Sequence, residues 1–179
     1  MAFEESRLRF NFLEGHWEHL VKYDEEKDYR KLEQSIPGTK GVDFIGISNH
    51  DIFFFEVKNY RGHKIASKQK IDELEIIVAQ KVRDTLGGIV GGVRNSTNRE
   101  ESWQQHLKFL GDKKKRLNIV LWIEEDSRHR QPREQNIYSQ ILTQKLKQHL
   151  SWLSCKVIVA NKANNPIIDK LQVDFLPEH

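Results

Sequence analysis

The stretch from Gly41 to Lys58 (Gly-Val-Asp-Phe-Ile-Gly-Ile-Ser-Asn-His-Asp-Ile-Phe-Phe-Phe-Glu-Val-Lys) constrains the fold more than any other. Two segments rich in Ile, Val and Phe, 42–47 and 52–58, flank Asn49-His50, and asparagine tolerates the positive φ of a two-residue hairpin turn. A hairpin turning there opposes Ser48 to Asp51, Ile47 to Ile52, Ile45 to Phe54 and Asp43 to Glu56. Side chains alternate along a strand, so Ile45, Ile47, Ile52 and Phe54 share one face. Val42, Phe44, Phe53, Phe55 and Val57 share the other. Both faces are apolar, so both are expected to be covered.

The remaining patterns are read around that hairpin. Phe10, Leu13, Trp17, Leu20 and Val21 recur at helical spacing and predict a first helix over 3–23. A first strand is expected over 29–36, ended by Pro37-Gly38. Ile71, Leu74, Val78, Val82 and Leu86 mark a second helix, which Gly87-Gly88 and Gly91-Gly92 should end, glycine being unfavourable inside helices. Helices over 100–110 and 134–150 and buried strands over 117–123 and 156–160 follow, with an edge strand or a surface wrap over 167–176. The order α-β-β-β-α-(α)-β-α-β predicts a single domain over 1–179, a three-layer α/β/α sandwich with a central mixed sheet.

Several classes are excluded. The longest apolar run, Ile119 to Ile123, is far below the roughly 20 residues of a membrane span. The N-terminus has neither the basic start nor the apolar run of a secretion signal, and one cysteine, Cys155, allows no intrachain disulfide, so a cytoplasmic location is expected. The glycine pairs lack the Lys-Ser/Thr of a phosphate-binding loop. His16 and His19 stand three apart without a third ligand for zinc.

Asp43, Glu56 and Lys58 emerge on one face of the hairpin, beyond the aliphatic wall. Carboxylates directly opposed across two strands have Cβ atoms about 4.5–5.5 Å apart and repel unless a cation lies between them. Lys58 is one candidate for that cation, and a divalent ion held by oxygen ligands is the other. At Val42-Asp43 and Glu56-Val57-Lys58 the chain resembles the PD-(D/E)XK nuclease superfamily, the restriction-endonuclease-like fold, over roughly residues 3–123. Val42 stands where that family often has proline. The resemblance implies an αβββαβ core and Mg²⁺- or Mn²⁺-dependent hydrolysis of phosphodiester bonds, in DNA with RNA as the alternative substrate. Asp43, Glu56 and the Val57 carbonyl would bind the metal, and Lys58 would position or deprotonate the attacking water. It further implies a possible homodimer. The alternative is a non-catalytic nuclease-like module that binds nucleic acid or protein.

Family members often add a glutamate from the first helix, and both Glu14 and Glu18 qualify, though either could be plain helix surface. The charge is lopsided: residues 1–58 hold 8 Lys/Arg against 12 Asp/Glu, and residues 59–179 hold 21 against 14. A basic second part suits a polyanion, although lysine runs are more often solvated faces. Lys40, Tyr60, Arg61, Lys64 and Lys81 are the candidate nucleic-acid contacts; for Tyr60, Arg61 and Lys64 the bland alternative is a solvated loop, and for Lys81 a surface position.

Overall fold

The computed structural model describes residues 1–62, 73–126 and 131–177. The hairpin forms in the expected register. β4 (Phe44–Ser48) and β5 (Asp51–Asn59) pair antiparallel from Ser48↔Asp51 to Phe44↔Phe55, and Asn49 turns with φ 54°. These strands lie inside a five-stranded mixed sheet ordered β3-β4-β5-β6-β7. β3 (Glu18–Lys22) adds antiparallel to β4, while β6 (Arg116–Glu124) and β7 (Cys155–Ala160) add parallel beyond β5. β5 therefore sits at the centre, where the sheet changes from antiparallel to parallel.

The N-terminal part differs from its helical pattern. Residues 3–23 form β1 (Ala2–Glu5), β2 (Leu8–Phe12) and β3, not a helix. Ser6 and Arg7 take φ 50° and 62°, a tight turn that sets β1 antiparallel on β2. Leu8, Phe10 and Phe12 are buried at strand period. The segment expected as the first strand is α1 (Lys27–Ser35), with Asp28 in its first turn, where the helix dipole favours an acid. In the five-stranded sheet, this helix follows the first strand rather than preceding it.

The third layer is also not as expected. α2 (Leu74–Asn95), α3 (Glu100–Gly111) and α4 (Pro132–His149) cover one face of the sheet, where Ile45, Ile47, Ile52 and Phe54 meet Val78, Val82, Trp103, Leu142 and Leu146. The opposite face is covered by a second sheet, β1-β2-β8, with β8 being Leu171–Phe175. There Phe44, Phe53, Phe55, Val57 and Trp122 pack on Leu8, Phe10, Phe12, Leu171 and Val173. The sandwich is thus helices, mixed sheet, second sheet, and four α-helices are present among the described residues. None of these is long and apolar enough to cross a membrane.

α2 continues through both glycine pairs to Asn95 because two of the four glycines are sockets. A side chain at Gly92 would meet the Trp103 indole at 2.7 Å, and one at Gly88 would meet the Tyr23 hydroxyl. Gly87 and Gly91 face open space. Gly92→Ala should therefore destabilise the fold by about 1–3 kcal/mol through overpacking. Gly91→Ala should stabilise it by roughly 0.5–1 kcal/mol by removing a mid-helix glycine. Urea denaturation of the two variants checks the opposite signs.

Candidate active site

The approach to the site is pinned before any charged group appears. The Tyr29 hydroxyl accepts the Gly41 N–H at 2.9 Å, and the Thr85 hydroxyl accepts the Val42 N–H at 3.1 Å. α1 and α2 thus hold residues 41 and 42 by their backbone. At Asp43 the chain bends: its N–H donates to the Phe55 carbonyl at 2.9 Å, and its carbonyl accepts the Tyr23 N–H at 2.8 Å. The Asp43 Oδ2 atom accepts the Val57 N–H at 2.6 Å, doing for β5 what a ladder carbonyl does elsewhere. N–H and C=O of one strand residue point to the same edge, so the Val57 carbonyl is directed to this side as well.

Two lysines complete the arrangement. Lys58 Nζ donates to Glu56 Oε1 at 2.6 Å. Lys81, from α2, donates to Glu56 Oε2 at 2.7 Å and to Asp43 Oδ1 at 3.4 Å. Each of the four carboxylate oxygens is therefore engaged. The Glu56 side chain is 1% exposed and that of Lys81 16%, so the ion pairs are screened by little water. Burial, and then the neighbouring Glu56 charge, raises the Asp43 pKa to about 7 against the pull of Lys81 and of the Val57 N–H. The Glu56 and Asp43 charges hold the Lys81 pKa above its ordinary value even though burial acts to lower it.

The structure thus brings together Asp43, Glu56, Val57, Lys58 and Lys81, with Lys40 on the rim of the same cleft. It does not bring in Glu14 or Glu18. Glu14 is exposed in the turn after β2, and Glu18, exposed on β3, pairs with Ile47. Ile47 lies four residues from Asp43, about 13 Å along the strand. The expected first helix that would have carried these glutamates does not exist. Tyr60 packs against the helix-side core. The Arg61 guanidinium lies 3.5 Å over the Phe175 ring, turned to the second sheet. Lys64 lies outside the described residues.

Asp24, absent from the expected set, lines the cleft beside Asp43 and Lys81 together with Tyr29 and Glu33. Its Oδ1 atom is buried and has no hydrogen-bond partner among the described residues. No pattern in the sequence marks it, since its place depends on Tyr23 bonding to Asp43 across two strands.

The donor set consists of oxygens only, which suits a hard divalent ion such as Mg²⁺. Among the described residues, no three His, Cys, Asp or Glu side chains converge. Two carboxylates, a main-chain carbonyl and water are compatible with Mg²⁺, which keeps several waters.

Because its folded pKa is raised, Asp43 binds its proton more tightly in the folded than in the unfolded chain. Its contribution to stability is full at acid pH and is lost as pH rises through about 7. The charged groups facing it are Glu56 and Lys58 of β5, Lys81 of α2, and Asp24. In EDTA, Asp43→Asn should gain stability relative to wild type as pH rises from about 5 to about 8. Urea denaturation across that range reads the difference, and parallel curves would contradict it.

No protein-family model and no solved structure matches the chain. Among curated proteins it is similar to a cysteine–tRNA ligase of Neisseria meningitidis, 26% identical over 148 residues. The match covers 67% of this chain but only 20% of the ligase, so the chain spans about a fifth of that protein. At that identity the likeness assigns no family.

Proposed function

We propose that the protein is a metal-dependent nuclease of the PD-(D/E)XK type that hydrolyses phosphodiester bonds in DNA, with RNA as the alternative substrate. One observation carries the reading: two buried carboxylates, Asp43 and Glu56, meet at the end of paired strands, with Lys58 bonded to Glu56. Even compensated by Lys58 and Lys81, a buried network of this kind adds little stability over apolar residues of similar volume, so a purely structural role gives little reason for the pair. The antiparallel β3-β4-β5 meander followed by parallel β6 supports a restriction-endonuclease-like core. The second sheet, and a helix placed after the first strand of the meander, depart from that pattern.

In this reading Asp43, Glu56 and the Val57 carbonyl hold Mg²⁺ or Mn²⁺. When bound, the ion lowers the pKa of a water and neutralises charge on the phosphate. Lys58, 30% exposed where Glu56 is closed off, orients the attacking water and handles its proton. Lys40, on the rim, meets the nucleic-acid backbone.

The test is incubation of wild type, Asp43→Ala and Lys58→Ala with plasmid, linear duplex, single-stranded DNA and RNA, in Mg²⁺, Mn²⁺ or EDTA. Wild type should cleave only with metal, and Lys58→Ala should be slower by about 10²–10⁴-fold. Asp43→Ala should show no cleavage. A Lys58→Ala protein as active as wild type would sink the assignment.

A further inference from the structure

Of the four oxygens that Asp43 and Glu56 present, two already have partners from β5 itself. Glu56 Oε1 takes Lys58, and Asp43 Oδ2 takes the Val57 N–H. The other two, Glu56 Oε2 and Asp43 Oδ1, come one from each carboxylate, and a single ammonium, that of Lys81, bridges them. These are the two oxygens, one from each acid, that a single cation already shares. The protein thus carries its own cation at that point.

A flexible four-carbon stem lets an ammonium swing, but removing it from two buried carboxylates without a new anion would leave a buried charge unpaired. The cleft supplies such an anion. Asp24 lines the same opening as Lys81, and its buried Oδ1 has no hydrogen-bond partner among the described residues. The charge of Lys81 already acts on that carboxylate.

We infer that Lys81 is an internal competitor for the divalent-ion site, bridging Asp43 and Glu56 when metal is absent and moving its ammonium to Asp24 when metal binds. This inference rests on the reading of Asp43 and Glu56 as the metal-binding pair. Lys81 is on this account a positioning residue, and Asp24 is its second berth, not a metal ligand. Entry of the metal and movement of the lysine form one exchange of counter-ions, in which neither the acids nor the ammonium is left alone.

The experiment is Mn²⁺ titration of nucleic-acid-free protein, followed by electron paramagnetic resonance, for wild type, Asp43→Ala, Lys81→Met, Asp24→Asn and the Asp24→Asn/Lys81→Met double variant. Lys81→Met should bind Mn²⁺ about tenfold more tightly than wild type, because a close positive charge is gone. Asp24→Asn should weaken binding several-fold in wild type and leave it unchanged in the Lys81→Met background, the coupling a double-mutant cycle isolates. Unchanged or weaker binding by Lys81→Met overturns the competition. An equal loss from Asp24→Asn in both backgrounds overturns the berth and makes Asp24 a direct contributor to the metal. Should Lys81→Met not fold without metal, Lys81→Gln, which keeps a donor but no charge, makes the same comparison. If wild type shows no Mn²⁺ binding that Asp43→Ala removes, the metal-binding reading itself fails and the inference falls with it. Asp43-dependent binding that Lys81→Met does not tighten overturns the inference alone.

Discussion

The structure depends on a hairpin with no solvent face. Ile45, Ile47, Ile52 and Phe54 press on helices, while Phe44, Phe53 and Phe55 press on a second sheet. Each such side chain, fully buried, contributes about 1.5–3 kcal/mol relative to exposure. A strand held this firmly on both faces has one free feature, its end, and that is where Asp43, Glu56 and Lys58 project. Rigid apolar strands thus fix the positions of groups that repel one another. The backbone bonds from Tyr29 and Thr85 to residues 41 and 42 extend that rigidity past the last ladder pair.

How much of this was legible in the sequence follows from how local each signal is. The turn at Asn49, the register and the shared face of Asp43, Glu56 and Lys58 lie within eighteen residues, and alternation alone decides them. The strands after residue 115 and the last two helices were readable for the same reason. The N-terminal part was not. Phe10, Leu13, Trp17 and Val21 satisfy a helical period, but Leu8, Phe10 and Phe12 satisfy a strand period equally well. The tie is decided by β8, which pairs Phe10 with Val173 from the far end of the chain. A contact of that separation leaves no trace in a window of a dozen residues.

The site divides along the same line. Its strand-borne members were legible; Lys81 was marked only as a nucleic-acid contact and instead reaches the two acids from α2, and Asp24, unmarked, comes from the turn after β3. Both are polar residues in charged surroundings, and only tertiary packing turns them toward Asp43. Glu14 and Glu18 failed as candidates because they inherited a helix that does not form. The charge balance at the site is likewise a tertiary property: two acids from neighbouring strands face two ammonium groups, one from β5 and one from a helix across the sheet.

The glycine sockets of α2 bear on where that helix-borne ammonium stands. Gly88 and Gly92 lie one turn apart and seat Tyr23 and Trp103, and Tyr23 is itself bonded to Asp43. Lys81 precedes Gly88 by seven residues, about 10.5 Å along the axis. The two rings act as detents on a rod: a slide or a twist of α2 would drive helix backbone into an aromatic side chain. The depth to which Lys81 reaches is therefore gauged from Tyr23, the same residue that anchors one of the acids it meets, so lysine and carboxylate share a common reference point in the fold.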